Sequence, residues 1–192
     1  MKVYREIVIR PQPEISLYFL WEKVYQQIHL GLVEMKDSNG IVPIGIGFPE
    51  YDINAGKLGT KLRLFAQNEE SLFKFNAEEW LKRLSDYVHL TQIREVPDTV
   101  IKYNRFTRQQ PKTNKERLAR RKSKRNNISF RQAMKELKGF EDKLVTTPFI
   151  NMRSQSTGKR FRLFIQKQEC ATAEYQGFNT YGMSTISSVP VF

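Results

Sequence analysis

Between Arg105 and Arg125 the chain carries ten Lys or Arg residues and one acid, Glu116, so 21 residues hold net +9 of the total +12. A run of that charge cannot be packed into a core, so the fold must leave it at the surface, where its natural partner is anionic. Local signals predict a helix over 114–125. Thr113 and Glu116 have capping-box spacing, and Asn126-Asn127 supplies a stop. Within that helix Arg117, Arg120, Arg121, Lys124 and Arg125 fall at i, i+3, i+4, i+7 and i+8 and share one face. Leu118 and Ala119 are its only apolar residues, too few for the roughly 100° stripe by which a helix packs on a core. The helix is therefore expected to be held from outside the protein, and a column of phosphates fits. A solvated charged helix is the plain alternative. The run lies mid-chain, however, and Arg, whose planar fork suits phosphate and guanine edges, outnumbers Lys along the face.

The segments on either side are patterned like folded protein. With 40% hydrophobic and 12% aromatic residues among 192, the chain can build a core and is not of the disordered class. A single cysteine, Cys170, excludes a disulfide framework and fits a reducing compartment. No Cys or His pair has zinc-ligand spacing. Neither a signal-peptide pattern nor a run of about 20 apolar residues occurs, so the chain is expected to be cytoplasmic, with no membrane partner.

Val3 to Ile9 is predicted as a strand ended by Pro11 and Pro13. Ser16 then caps a helix whose apolar positions are Leu17, Leu20, Trp21, Val24, Ile28 and Leu32. Strands are predicted at Ile41 to Phe48 and Leu58 to Ala66, a second helix capped by Asn76, and a fourth strand at Val88 to Val96. The β-α-β-β-α-β order predicts an α+β protein with a ferredoxin-like domain at 1–96. Residues 97–192 are expected to form an α/β region that carries the basic helix and a β-hairpin. There Ser129 and Gln132 open a further helix stopped by Gly139. Phe149 to Met152 and Arg160 to Gln166 read as strands around the polar loop 154–159, and a short apolar piece follows Tyr181-Gly182.

Of two histidines, His89 lies inside a predicted strand and His29 on the border of the first helix's buried face. Such a histidine is either structural or, with a pKa near ~6.5, a group able to move a proton at neutral pH. The acids are scattered pairs such as Glu69-Glu70, without the convergent carboxylates that two-metal phosphodiester chemistry needs. A nuclease built from these residues is expected to use no metal and no cofactor. That route is open to RNA alone, whose 2′-hydroxyl can attack the neighbouring phosphate. Ser154 to Lys159 offers hydroxyls, a glycine and flanking cations for such a phosphate, or is simply a hairpin turn. It is neither a Walker loop nor a nucleophile elbow.

Several short motifs then occur in order along the chain. They are Val8-Ile9-Arg10-Pro11, His29, Gly45-Ile46-Gly47-Phe48-Pro49, Arg108-Gln109-Gln110-Pro111-Lys112-Thr113-Asn114, Glu116-Arg117-Leu118, Pro148-Phe149, Arg153-Ser154-Gln155-Ser156-Thr157-Gly158, Phe161-Arg162-Leu163-Phe164-Ile165, Tyr181-Gly182 and Val189-Pro190-Val191-Phe192. In this the chain resembles the CRISPR-associated endoribonucleases that process precursor CRISPR RNA, in the type I-F (Ypest subtype) branch. The resemblance implies a repeat stem-loop as substrate, cut at the 3′ base of the stem to leave a 2′,3′-cyclic phosphate, with the product retained inside an interference complex of several subunits. It implies a catalytic role for His29 as general base or acid, for Ser154 in holding the 2′-hydroxyl and for Tyr181 in placing the imidazole. Arg108 and Gln110 would read bases, Lys112, Arg117, Arg120, Arg121, Lys124 and Arg125 would bind the stem, and Phe161 would stack on its terminal pair. Ser156 matches a second motif serine. The runner-up is an RRM-like RNA-binding module without chemistry, although the first and third strands lack the closely spaced aromatics of RNP motifs.

Overall fold

A computed structural model describes residues 1–100, 102–111, 115–139 and 145–192. Strand β1 (Val3–Ile9) alternates buried and half-buried residues, as a strand with one face on a core must. Helix α1 (Leu17–Glu34) opens at Ser16, whose hydroxyl accepts the Phe19 N–H at 3.3 Å. Strands β2 (Gly45–Gly47) and β3 (Lys61–Ala66) follow, then α2 (Glu69–Phe75), α3 (Ala77–Leu81), β4 (Val88–Leu90) and β5 (Arg94–Glu95). The sheet order is β2-β3-β1-β4, every pair antiparallel, with β5 also on β1.

Three local expectations are corrected. Asn76 stands at the start of α3, as expected of the helix through Trp80 and Leu81, but makes no side-chain cap bond; the capping side chain is that of Asn68, which opens α2 by accepting the Ser71 N–H. Asn76 takes a left-handed conformation at φ 47° and breaks the segment into α2 and α3. The predicted strand at 41–48 shrinks to Gly45–Gly47, because Val42 pairs instead with Phe178. The one at 88–96 is interrupted by Thr91 to Ile93, where Thr91 accepts through its hydroxyl from Glu6 N–H and through its carbonyl from the Arg5 side chain.

A second antiparallel sheet has the order β7-β8-β6-β9 and comprises β6 (Lys102–Gln109), β7 (Phe149–Arg153), β8 (Arg160–Cys170) and β9 (Val189–Val191). Its residues Phe106, Ile150, Met152, Leu163, Ile165 and Val189 join one core with Ile7, Ile28 and Leu62. The chain accordingly divides into compact units at 1–109 with 147–192 and at 110–146. No helix among the described residues is long and apolar enough to cross a membrane.

The 110–146 unit is a helix pair, α4 (Lys115–Asn126) and α5 (Phe130–Glu136). Asn127 at φ 50° ends α4, and the Ser129 hydroxyl caps α5 by accepting the Gln132 N–H at 3.1 Å. The expected start of the basic helix, including the Thr113 capping box, lies outside the described residues. α5 ends at Glu136, short of Gly139. The expectation that α4 has no protein packing is also corrected. α5 lies against it, Ala119 and Ala133 are both buried, and Lys122 pairs with Glu136 at 2.5 Å. Small residues allow this close approach where the sequence offers no broad apolar stripe. Ala119, Lys122 and Ser123 form that inner side. At 100° per residue the row Arg117, Arg120, Arg121, Lys124, Arg125 lies opposite it, and all five are exposed.

Candidate active site

His29 projects from the fourth turn of α1, half-buried. Its Nδ1 lies 2.7 Å from the Thr180 carbonyl oxygen. A carbonyl can only accept, so Nδ1 carries the proton and Nε2 presents its lone pair. The Tyr181 ring lies parallel to the imidazole, 4.2 Å between centroids and 4° between planes. Burial lowers the pKa of His29 below its usual 6.5, and the Thr180 hydrogen bond offsets part of that. The neutral ring therefore predominates at pH 7.

The segment that supplies both contacts is held in several ways. One helical turn before His29, the buried Tyr25 hydroxyl donates to the Tyr181 carbonyl at 2.7 Å, so residues i and i+4 of one helix grip two successive carbonyls. The same environment raises the Tyr25 pKa well above 10, through burial first and Tyr181 second. Asn179 Oδ1 accepts the Tyr181 N–H at 2.8 Å, and the Gly182 carbonyl accepts the Ile46 N–H at 2.9 Å. Gly182 turns at φ +68°, and a β-carbon on it would meet Ile46 at 2.5 Å; one on Gly45 would enter the Phe178 ring at 2.3 Å. The Gly45-Ile46-Gly47 motif thus gives this segment its seat.

The turn between β7 and β8 follows the strand that packs against α1. The Ser154 N–H donates to the Lys159 carbonyl, the Gly158 N–H to the Ser154 carbonyl, and Gly158 has φ +65°. Ser154 Oγ is 3.2 Å from Ser156 Oγ and accepts the Thr157 N–H at 3.3 Å. The segment is thus a hairpin turn with a pair of hydroxyls at its mouth. It is registered against α1 at two points. The Tyr18 and Phe149 rings stack at 5.7 Å, and the Arg153 N–H donates to Gln26 Oε1 at 3.2 Å. Eight helical residues rise about 12 Å and four strand residues about 13 Å, so α1 and β7 run side by side in one direction. His29 is three residues past Gln26 on α1, and Ser154 is the residue after Arg153.

Arg108, near the end of β6, completes the cluster. Its guanidinium lies 5.2 Å from the Phe161 ring centroid and 5.7 Å from that of Tyr181. His29, Tyr181, Arg108 and Phe161 are therefore gathered by contact, whereas Ser154 and Ser156 touch each other and are tied to α1 through the neighbouring Arg153–Gln26 bond. Gln110 is exposed just past β6, at the start of the 110–146 unit, and Lys112 lies outside the described residues. Among the described residues Arg120 makes a long pair with Glu116 at 3.4 Å. Among the described residues no group of three or more His, Cys, Asp or Glu side chains converges.

Residues 4–192 match the model of the family described as CRISPR-associated protein (Cas_Csy4). The chain belongs to the CRISPR-associated Csy4 family. Two relatives called CRISPR-associated endonuclease Cas6/Csy4 align with it over the full length of both chains. One, from Pseudomonas aeruginosa (strain UCBPP-PA14), is 35% identical over 193 residues, and the other, from Escherichia coli (strain UTI89 / UPEC), is 30% identical. A solved structure described as "An RAMP protein binding different RNA substrates" covers 98% of this chain and 99% of its own at 12% identity, with a TM-score of 0.38. For this Csy4-family chain, sequence reasoning missed Tyr25, Thr180 and Asn179. Thr180 acts through its backbone carbonyl, which leaves no mark in residue type, whereas Asn179 acts through its side-chain oxygen in the turn before Gly182, a pairing of residue types that signals a turn but not its role. Tyr25 had a usable signal, being a phenol on the buried face of α1 four residues before His29, and such a hydroxyl needs a partner.

Proposed function

We propose that the chain is a metal-independent endoribonuclease that binds a CRISPR repeat stem-loop and cuts precursor CRISPR RNA at the 3′ base of the stem. The observation that carries this is the fixed tautomer of His29, with Nδ1–H held by Thr180 O and Nε2 left as a base. Nε2 takes the proton of the 2′-hydroxyl, whose oxygen attacks the adjacent phosphorus while the bond to O5′ breaks. The products are a 2′,3′-cyclic phosphate and a 5′-hydroxyl, the proton on the imidazole being available to O5′. Ser154, with Ser156 beside it, holds the attacking hydroxyl. Tyr181 keeps the ring in plane, and its face stabilises the imidazolium that forms. General acid–base help is worth about 10²–10⁴ in rate, and in-line orientation must supply much of the rest.

Recognition rests on two groups of residues. Phe161 offers an aromatic face to the terminal base pair, Arg108 and Gln110 contact base edges near it, and the exposed row from Arg117 to Arg125, with Lys112, binds phosphates of the stem. Those contacts outlast the cut, so the protein remains with the mature RNA as a subunit of the interference complex, in the cytoplasm where its transcripts are made. The order β2-β3-β1-β4, with α1 after β1 and α2–α3 after β3, supports a ferredoxin-like arrangement of the first sheet. A purely RNA-binding module would have no use for a histidine whose tautomer is fixed and whose pKa is lowered.

The test is to incubate the protein with repeat RNA in EDTA and analyse the product ends. Cyclic phosphate and 5′-hydroxyl termini are expected, and an RNA with deoxyribose at the cut site should be bound and left whole. Cleavage of that deoxy substrate, or loss of cleavage in EDTA, would overturn the mechanism.

A further inference from the structure

Ser154 and His29 belong to different elements, so something must set the distance between them. β7 is the edge strand of its sheet. Ser154 N–H bonds to Lys159 O, and Pro148 O accepts the Ile165 N–H, so the ladder to β8 uses the even-numbered residues and the Arg153 N–H faces away from it. That donor is taken by Gln26 Oε1 at 3.2 Å. Gln26 is three residues before His29, so the two side chains are neighbours on the helix surface. Around the α1 axis His29 lies between Tyr25, which grips the Tyr181 carbonyl, and Gln26, which grips the residue before Ser154.

Holding the turn this way carries a penalty for the fold. Gln26 Nε2 is buried and has no hydrogen-bond partner among the described residues. A buried amide donor without an acceptor is unfavourable, and an apolar side chain of similar volume would avoid it. Stability alone does not favour glutamine here, but a need for a carbonyl oxygen aimed at Arg153 does. We propose that Gln26 is a positioning residue, one whose oxygen locks the serine turn at the level of the imidazole so that the 2′-hydroxyl held there meets Nε2. The proposal rests on the endoribonuclease reading above and adds to it the part that sets the reacting distance.

Two variants separate positioning from general support. Gln26→Met keeps the volume and removes both the acceptor and the orphan donor; Gln26→Glu keeps an acceptor. In Gln26→Met, single-turnover cleavage of the stem-loop should slow by about 10- to 100-fold, the scale set by misplacing a reacting group by about 1 Å. Stem-loop affinity should be unchanged and the thermal midpoint not lowered. Gln26→Glu should recover most of the rate. It should also move the acid limb of the pH–rate profile upward, because a carboxylate beside His29 favours the imidazolium. Hydrogen exchange at the Arg153 amide should speed up in Gln26→Met and not in Gln26→Glu. Unchanged cleavage in Gln26→Met, equal losses in both variants, or a rate loss that follows a lowered midpoint would each overturn the proposal. If His29→Ala cuts normally, the endoribonuclease reading fails instead, and Arg153 exchange still tests the Gln26 contact by itself.

Discussion

His29 differs from an ordinary surface histidine by two groups it does not choose, a carbonyl at 2.7 Å and a parallel phenol ring. Burial is the larger influence on its pKa and pushes it down; the carbonyl acts the other way. A base must be unprotonated, so the single-turnover rate should be flat above pH 6.5 and fall only as pH drops through the lowered value. Loss of rate on the alkaline side would make the ring an acid instead. Folding stability follows the same sign. Between the lowered folded value and 6.5 the unfolded chain binds more protons, so this group's contribution is present above 6.5 and lost as the solution is acidified. His29→Ala should abolish cleavage and leave stem-loop affinity intact, as measured by titrating labelled RNA. Loss of both together would assign the ring to the fold.

The elements around that ring show why the sequence was informative in places. α1 was legible from Ser16 and from the spacing of Leu20, Trp21, Val24 and Ile28, because one helix with one buried face states its own period. The β7–β8 hairpin was legible for a similar reason, since its strands flank a polar turn with a glycine. Asn76 was legible as a helix boundary, but its left-handed ending of α2 was not, because capping and left-handed termination favour the same residue type and only packing decides which occurs. The strand at 41–48 was overextended because Val42 and Ile44 are buried by Phe178 and the rest of the core rather than by a long strand pairing. Serine, histidine and arginine announced themselves at the site by residue type. The Thr180 carbonyl did not, as any residue carries one. The Gly45 seat gives a prediction at this scale. Gly45→Ala places a methyl inside the Phe178 ring, which should destabilise the protein by about 1–3 kcal/mol. It should also slow cleavage more than it weakens RNA binding. Denaturant titration and single-turnover assays on one preparation would check both, and an unchanged rate would detach the 178–183 segment from catalysis.

At the scale of the whole molecule, the densest positive charge and the His29 cluster fall in different compact units. The 110–146 unit holds twelve Lys or Arg against four acids, while His29, Tyr181, Arg108, Phe161 and the serine turn belong to the other. Both ends of the inserted unit leave from one place, where the Thr147 hydroxyl donates to the Gln109 side chain at 2.8 Å. Affinity and rate should therefore be separable by mutation. Arg121→Ala combined with Lys124→Ala should weaken stem-loop binding at low salt. It should also lower the slope of log affinity against log salt by about 0.7–0.9 for each phosphate contact removed. RNA saturated by raising the protein concentration should still be cut at the wild-type rate. A slope that does not change would take the exposed face of α4 out of the interface.

The carbonyl that orients His29 belongs to Thr180, 151 positions along the chain from the imidazole, and the segment that carries it is seated on β2 through the Gly182 carbonyl and the Ile46 N–H. The ring's proton is therefore placed by long-range packing and by nothing within its own helix. Loosening residues 178–183 should let the imidazole exchange tautomers while α1 stays folded.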